Sequence, residues 1–301
     1  MTKRTKAYLS LSITALIWGP AFAVIKPSLS VISPFQFLYF RYLIAAPLTL
    51  PLIFYYYKKL KPNLKTILTV STIEFFGTPL ALSILYLGLA KTSALEASLI
   101  GATSPILATI GGIIFLKEKE ERLEWIGLSI SFFGSLLLIV EPLITGKAFA
   151  SSFSLSGNLM IFSYNLLSTT YYLLAKKHYQ NLPKLFPTSI GYSISLISFF
   201  IFLKLTQSST PISLLSTPSV ATAAIYMGFF GSIIALTTRM YGQDQIEASE
   251  ASLFNYLHGV IAIPASYFLL KEIPTIKQII AILVISFGVF IAEYRPGKIK
   301  K

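Results

Sequence analysis

The chain contains no cysteine, and it has only two histidines and twelve Asp and Glu among 301 residues. Without cysteine there is no disulfide framework and no thiolate site, and compartment cannot be read from redox usage. Two distant histidines and no thiols make a zinc site of ordinary ligand spacing unexpected, and no other cofactor is indicated. The Gly-Lys pairs, Gly146-Lys147 and Gly297-Lys298, are followed by neither Ser nor Thr. They form no phosphate-binding loop, so ATP-driven transport within this chain is not expected. Charge is scarce as well. Only 12% of residues are charged, whereas a soluble domain carries about 25% to cover its surface. A surface facing hydrocarbon removes that need.

What is present is apolar. Hydrophobic residues make up 54% of the chain, with 23 Phe and 17 Tyr, and the mean hydropathy is +0.70. Aromatics suit lipid faces and headgroup belts. The net charge of +13 would raise nucleic acid as a partner in a soluble protein. Here most Lys and Arg sit in short runs between apolar stretches, where they fix orientation instead. The partners expected are therefore a lipid bilayer and a small molecule, not nucleic acid.

Ten apolar segments are each long enough to cross a hydrocarbon core of roughly 30 Å. They fall near 7–27, 34–56, 66–89, 94–116, 123–140, 156–175, 186–204, 219–241, 248–270 and 275–293. The first is too long for a signal peptide and is followed by more spans, so it reads as a retained helix. With the N-terminus inside, seventeen of the 25 Lys and Arg fall on the cytoplasmic side and six on the other. The bias places both termini in the cytoplasm.

An internal repeat sets the architecture. A shift of 154 residues lays Phe75-Phe76-Gly77 on Phe229-Phe230-Gly231 and Gly88 on Gly242. It also superposes Glu96-Ala97-Ser98-Leu99 on Glu250-Ala251-Ser252-Leu253, and Leu116-Lys117-Glu118 on Leu270-Lys271-Glu272. Five spans per repeat is an odd number, so the second half enters the membrane from the opposite side. The expected fold is all-α integral membrane, ten transmembrane helices as two inverted five-helix repeats, a plan common among secondary transporters. The halves are expected at 1–142 and 156–301, joined by a linker at 143–155.

The order of several motifs resembles the EamA family of the drug/metabolite transporter superfamily. The first helix carries Trp18-Gly19-Pro20 and ends in Ile25-Lys26. Ser33-Pro34, Phe40-Arg41-Tyr42, Thr92-Ser93-Ala94, Ser104-Pro105 and Glu118 follow in the family's order. The resemblance covers nearly the whole chain. It implies a 5+5 bundle with a central cavity, in a bacterial-type cytoplasmic (inner) membrane. Such proteins move amino acids, sugars, nucleobase-like compounds and other metabolites, mostly outward. In the ninth helix His258-Gly259 stands where the family commonly has Glu-Pro, with the proline displaced to Pro264. Lys117 and Lys271 replace the family's usual glycines.

Ionisable residues inside spans are functional candidates, because a mid-membrane charge costs at least about 2.5–3.5 kcal/mol on insertion scales. Four qualify: Arg41, Glu74, Arg239 and His258. His258 is near the midplane with Asn255 one turn earlier on the same face. The repeat sets it opposite Ser104, and helix disruptors in both helices would free backbone groups to face a cavity. His258 suits substrate binding or proton exchange, or else interhelical packing. Arg41 suits the grip of a carboxylate, or a structural pair. Glu74 is a proton-coupling candidate alongside His258, or the counter-ion of a buried cation. Arg239 lies near a helix end and is expected to snorkel to the headgroups. Trp18 at mid-depth suits a cavity wall or packing, and Tyr164 and Asn165 in the sixth helix suit the pore or interhelical bonds. Glu96 and Glu250 read as helix-end electrostatics. Gly111-Gly112 and Gly127 read as close helix contacts.

The reading is a secondary transporter of small polar metabolites such as amino acids, working by alternating access. Its midplane site would be formed by helices 1, 2, 3, 4, 6, 8 and 9, with helices 5 and 10 bracing the outside. Coupling would be to the substrate gradient or to protons. An integral membrane enzyme acting on lipid, and a receptor or channel, are the competing classes. The chain lacks the clustered Asp, His or Ser/Lys such an enzyme needs.

Overall fold

The computed structural model of the protein describes residues 1–118, 122–144, 155–206 and 212–293, and these are helical without any strand. Ten long helical segments follow one another, with a short 3₁₀ helix, Ile212–Ser216, ahead of the eighth. They are α1 (Lys3–Ser30), α2 (Pro34–Leu60), α3 (Leu64–Lys91), α4 (Ala94–Leu116), α5 (Arg122–Ile144) and α6 (Leu155–His178). The remainder are α7 (Leu185–Leu205), α8 (Pro218–Gln243), α9 (Ala248–Leu270) and α10 (Ile276–Glu293). Seven of them, all but α5, α6 and α10, are long and apolar enough to cross a membrane by length and composition. The sixth falls short because its inner face is polar: Asn158, Asn165, Ser168 and Thr169 are buried there. Most of the expected 143–155 linker lies outside the described residues, as do Lys119, Lys147, Arg295, Lys298, Lys300 and Lys301.

Short polar residues start the helices. Ser33 and Gln36 form a reciprocal cap at the head of α2, with Pro34 in the first turn, where a missing N–H costs nothing. Asn63 Oδ1 accepts from the Thr66 N–H at 2.8 Å to start α3, and Ser93 Oγ accepts from the Glu96 N–H at 3.0 Å to start α4.

Four helices depart from regular α geometry, and they are the ones that meet in the middle. The first is interrupted at Gly19-Pro20, between Trp18 and Ala21. A 3₁₀ turn over Gly101–Thr103 breaks α4. Wide π turns occupy Phe76–Leu80 in α3 and Tyr226–Leu236 in α8, at corresponding places in the two repeats. Such turns concentrate at functional sites. The expectation of a matching break in α9 is not met, for Ala248–Leu270 is continuous with Pro264 inside it. That proline removes one N–H donor without ending the helix.

Helices α5 and α10 pack on one another. A Cβ on Gly127 would come within 2.2 Å of Gly288 O, and one on Gly288 within 2.4 Å of Gly127 O. Nothing larger than glycine fits this crossing. Ser131 Oγ adds a bond to Ile285 O at 3.0 Å.

Two carboxylates join α4 and α9 at both ends. Glu118, just past the end of α4, accepts from the Ala248 N–H that begins α9, at 3.0 and 3.2 Å. Glu272, just past the end of α9, accepts from the Ala94 and Leu95 N–H groups that begin α4, at 3.2 and 2.9 Å. These contacts require the two helices to run antiparallel. Each carboxylate meets orphan donors at the positive end of a helix dipole. A lysine attends each latch. Lys176 Nζ donates to Glu118 Oε1 at 2.9 Å and to Ile246 O at 2.8 Å. Lys26 Nζ donates to Leu89 O at 2.6 Å and to Thr92 O, and Thr92 is the repeat partner of Ile246. Lys117 and Lys271 turn the chain into the latches with left-handed φ of 59° and 58°, which explains why glycine is usual there.

Glu96 and Glu250 do more than adorn helix ends. Glu96 is fully buried and accepts from Asn158 Nδ2 at 3.1 Å, tying α4 to α6. Glu250 pairs with Arg4 at 2.7 Å and with the Tyr8 hydroxyl, tying α9 to α1.

Replacing Glu272 by Ala strands the Ala94 and Leu95 N–H groups, at about 1–3 kcal/mol for a buried unmatched donor. The expected result is a melting temperature in detergent a few degrees lower, about 2 °C per kcal/mol for a chain of this size. An unchanged melting temperature would show that the latch contributes nothing to stability.

Candidate functional site

Seven helices, α1, α2, α3, α4, α6, α8 and α9, enclose a central cavity with about 140 Å³ open to the centres of water molecules. That is roughly ten times what one water needs. The wall includes Trp18, Arg41, Tyr86, Ser104, Tyr164, Asn165, Asn255 and His258. All seven residues singled out from the sequence for substrate binding therefore come together around one space. The second proton candidate, Glu74, does not reach it.

The aromatic side is α1 against α8 and α9. The Gly19-Pro20 break ends the first helical stretch at Trp18, whose Nε1–H donates to Gly231 O at 2.9 Å in the wide turn of α8. The His258 ring stands edge-on to the Trp18 ring, 6.0 Å between centroids at 76°. Among the described residues no hydrogen bond ties the imidazole to another helix, so it does not serve interhelical bonding there. The Tyr226 hydroxyl donates to Ile17 O at 2.6 Å and holds α1 and α8 together below the site.

The cationic side is α2. Arg41 is 5% exposed. Its Nε donates to Ser232 Oγ at 2.9 Å and its Nη1 to the Tyr86 hydroxyl at 3.0 Å, with the Tyr42 ring 5.3 Å from the guanidinium carbon. These partners are neutral, and no carboxylate meets Arg41 among the described residues. The guanidinium is held in place by hydroxyls without losing its charge to an ion pair.

On the third side, Asn165 Nδ2 donates to Ile100 O at 2.9 Å and Thr103 Oγ1 at 3.0 Å. It thereby satisfies the backbone where α4 breaks, which is an interhelical role at the cavity wall. The break leaves Gly101, the repeat partner of Asn255, facing open space: a Cβ there would touch nothing within 4 Å.

Glu74 lies one layer behind the wall. It is fully buried and accepts from the Tyr171 hydroxyl at 3.1 Å and the Tyr179 hydroxyl at 3.1 Å. The counter-ion alternative finds no support, because no cation contacts it among the described residues. Gly191 makes its room, since a Cβ there would stand 2.1 Å from Glu74 Oε2. The Tyr171 ring lines the cavity and packs on Gly77, so it stands between Glu74 and the central space.

Arg239 is a correction. It is 4% exposed and does not snorkel: Nη1 donates to Ala251 O at 2.6 Å, and the guanidinium lies 5.1 Å from the Tyr172 ring centroid. Position in the chain put it near a helix end, but the short α8–α9 connection folds α9 back over it and closes the route to the headgroups. Sequence reasoning also passed over Tyr86, Tyr171, Tyr172 and Ser232. Ser232 is the repeat partner of Thr78, and both hydroxyls face α2 or α7 partners, a signal the repeat already carried.

The family model for the EamA-like transporter family matches residues 5–140 and 155–294. The chain belongs to that family. It is thus a multi-pass membrane protein of a transporter family, and its two matched stretches correspond to the two repeats. It is similar to an uncharacterized transporter of Archaeoglobus fulgidus, 23% identical over 95% of this chain and 97% of the relative. The uncharacterized transporters YyaM and YdfC of Bacillus subtilis are each 27% identical, over 97% and 100% of this chain and 94% and 95% of theirs. A solved crystal structure, 17% identical, matches the fold with a TM-score of 0.68 over 96% of this chain and 97% of its own.

Glycine substitutions separate packing from cavity. Gly77→Ala drives a Cβ to 2.0 Å from the Tyr171 ring and should destabilise the protein by about 1–3 kcal/mol, as overpacking does. Gly101→Leu should leave the melting temperature unchanged while filling the cavity and stopping solute binding. Binding that survives Gly101→Leu in a folded protein would remove the cavity from the account.

Proposed function

We propose that this transporter carries small polar metabolites bearing a carboxylate, such as amino acids, by alternating access at the central cavity. The observation that carries the reading is Arg41, a buried guanidinium held at the cavity wall by neutral partners only. A charge left unpaired at this depth is expensive, and a substrate carboxylate would complete its fork with two parallel hydrogen bonds. Asn255, Ser104 and Tyr164 offer neutral hydrogen-bond partners for the rest of the solute, and Trp18 and His258 form an aromatic wall for it. Nucleobases, sugars and S-adenosylmethionine are the competing substrates. Nucleobases and sugars leave Arg41 without an anionic partner, whereas the methionine carboxylate of S-adenosylmethionine would supply one.

In this reading the termini are cytoplasmic and the membrane is the bacterial-type inner membrane. The Glu118 latch then faces the cytoplasm and the Glu272 latch the outside. Opening one while the other holds exposes the cavity to one face at a time. Family resemblance favours export. Glu74 behind Tyr171, together with His258, supplies groups able to exchange a proton with the cavity.

Counterflow in proteoliposomes tests this. The wild-type protein should accumulate a labelled amino acid against an internal pool, and Arg41→Gln should reduce the initial rate at least about 10-fold, ~1.4 kcal/mol. Glu74→Gln should keep counterflow yet lose accumulation driven by a pH gradient. Normal transport by a folded, inserted Arg41→Gln protein would overturn the carboxylate reading.

A further inference from the structure

A second, smaller cavity adjoins the first. It has about 30 Å³ open to water centres and is lined by Arg239, Gln243, Ala248, Ser252 and four residues of the central wall, among others. The shared four are Ser104, Ser168, Tyr172 and Asn255, so a single layer of side chains separates the two spaces. Ala248 also accounts for its position: the small cavity lies between the central one and the Glu118 latch.

Arg239 dominates this space. A guanidinium has five N–H donors and no acceptor, and here one hydrogen bond is made among the described residues, from Nη1 to Ala251 O. Nε is buried and has no partner. The neighbours along the wall are hydroxyls, amides, a tyrosine ring and the apolar Ala108, Leu173 and Ala248, and none is a carboxylate. The scaffold does not demand a cation at this place, because the repeat partner of Arg239 is Leu85, which lines the central cavity in the other half. An ionic group introduced into one half only, deep in the protein and short of partners, is a site waiting for an anion.

We infer that Arg239 and its cavity form a second anion subsite, so that the transporter favours metabolites with two acidic groups, one held by Arg41 and the other by Arg239. The volume sets the occupant: there is room for a single acidic group, with the body of the solute remaining in the central cavity. Arg239, on the wall of this cavity, receives that group, and Ser104 and Asn255 border the solute between the two cations. This inference rests on the carboxylate-carrier reading above.

Binding to the purified full-length protein tests it, read by calorimetry and by tryptophan fluorescence, since Trp18 lines the cavity. The probes are the α,ω-dicarboxylates from malonate to adipate, each against its monoamide, together with L-glutamate against L-glutamine. The best-fitting diacid should bind at least about 10-fold tighter than its monoamide, ~1.4 kcal/mol. Arg239→Gln should abolish that preference by weakening the diacid far more than its monoamide, Arg239→Lys should retain part of it, and Arg41→Gln should weaken diacid and monoamide alike. A wild-type protein that binds acid and amide equally, or an Arg239→Gln protein that keeps the preference, overturns the subsite while the carrier reading stands. If Arg239→Gln does not fold, the wild-type ratio and Arg239→Lys decide. Absence of binding to any carboxylate probe overturns the carrier reading and the subsite with it.

Discussion

The structure depends on two carboxylates that each cap the first turn of the opposite helix. The first residues of α4 and α9, Ala94, Leu95 and Ala248, are buried, so their orphan N–H groups must be met from within the protein. Glu272 meets those of α4 and Glu118 those of α9. Because each donor helix supplies the cap of the other, α4 and α9 are joined at both ends, and the middle of each contributes to the cavity wall. The 3₁₀ break in α4 and the histidine of α9 lie in that middle region. A cavity is the consequence, and the wide turns of α3 and α8 and the interrupted α1 fit around it.

The site that results is unusual in its polarity. Cations meet hydroxyls, carbonyls and aromatic rings, while the buried carboxyl behind the cavity wall, Glu74, accepts from two phenols among the described residues. Positive and negative charges are thus kept apart by tyrosines. In the proposed function this separated charge serves a solute or a proton, whereas paired charge would already be spent on the fold.

Much of the fold was legible in the chain, for the reason that apolar length and internal identity are visible without knowing any contact. The ten segments and the inverted repeat follow from those two signals, while the central cavity is what the family resemblance implies. The meeting of Trp18, Arg41, Ser104, Asn165, Asn255 and His258 followed from depth along each span. Depth alone misled at Arg239, since a residue near a helix end looks the same whether it reaches the headgroups or is covered by the next helix. The latches were invisible because Glu272 and Ala94 are 178 residues apart and join a side chain to a backbone group. The phenol partners of Glu74 come from α6 and the residue just after it, and the register of α6 against α3 is a product of packing around Gly77 and not of any local pattern.

The central claim is that the two latches open in turn. The absence of native cysteine allows it to be tested directly, by placing cysteine pairs at Glu118 and Ala248 and, in a second protein, at Glu272 and Ala94. Each pair is cross-linked in proteoliposomes and counterflow is then followed. The account predicts that either cross-link alone stops counterflow and that a reversible linker restores it on cleavage, measured against the same protein before linking. Counterflow that continues undiminished with one latch locked would contradict it, since a substrate could then cross without that end of α4 and α9 ever separating.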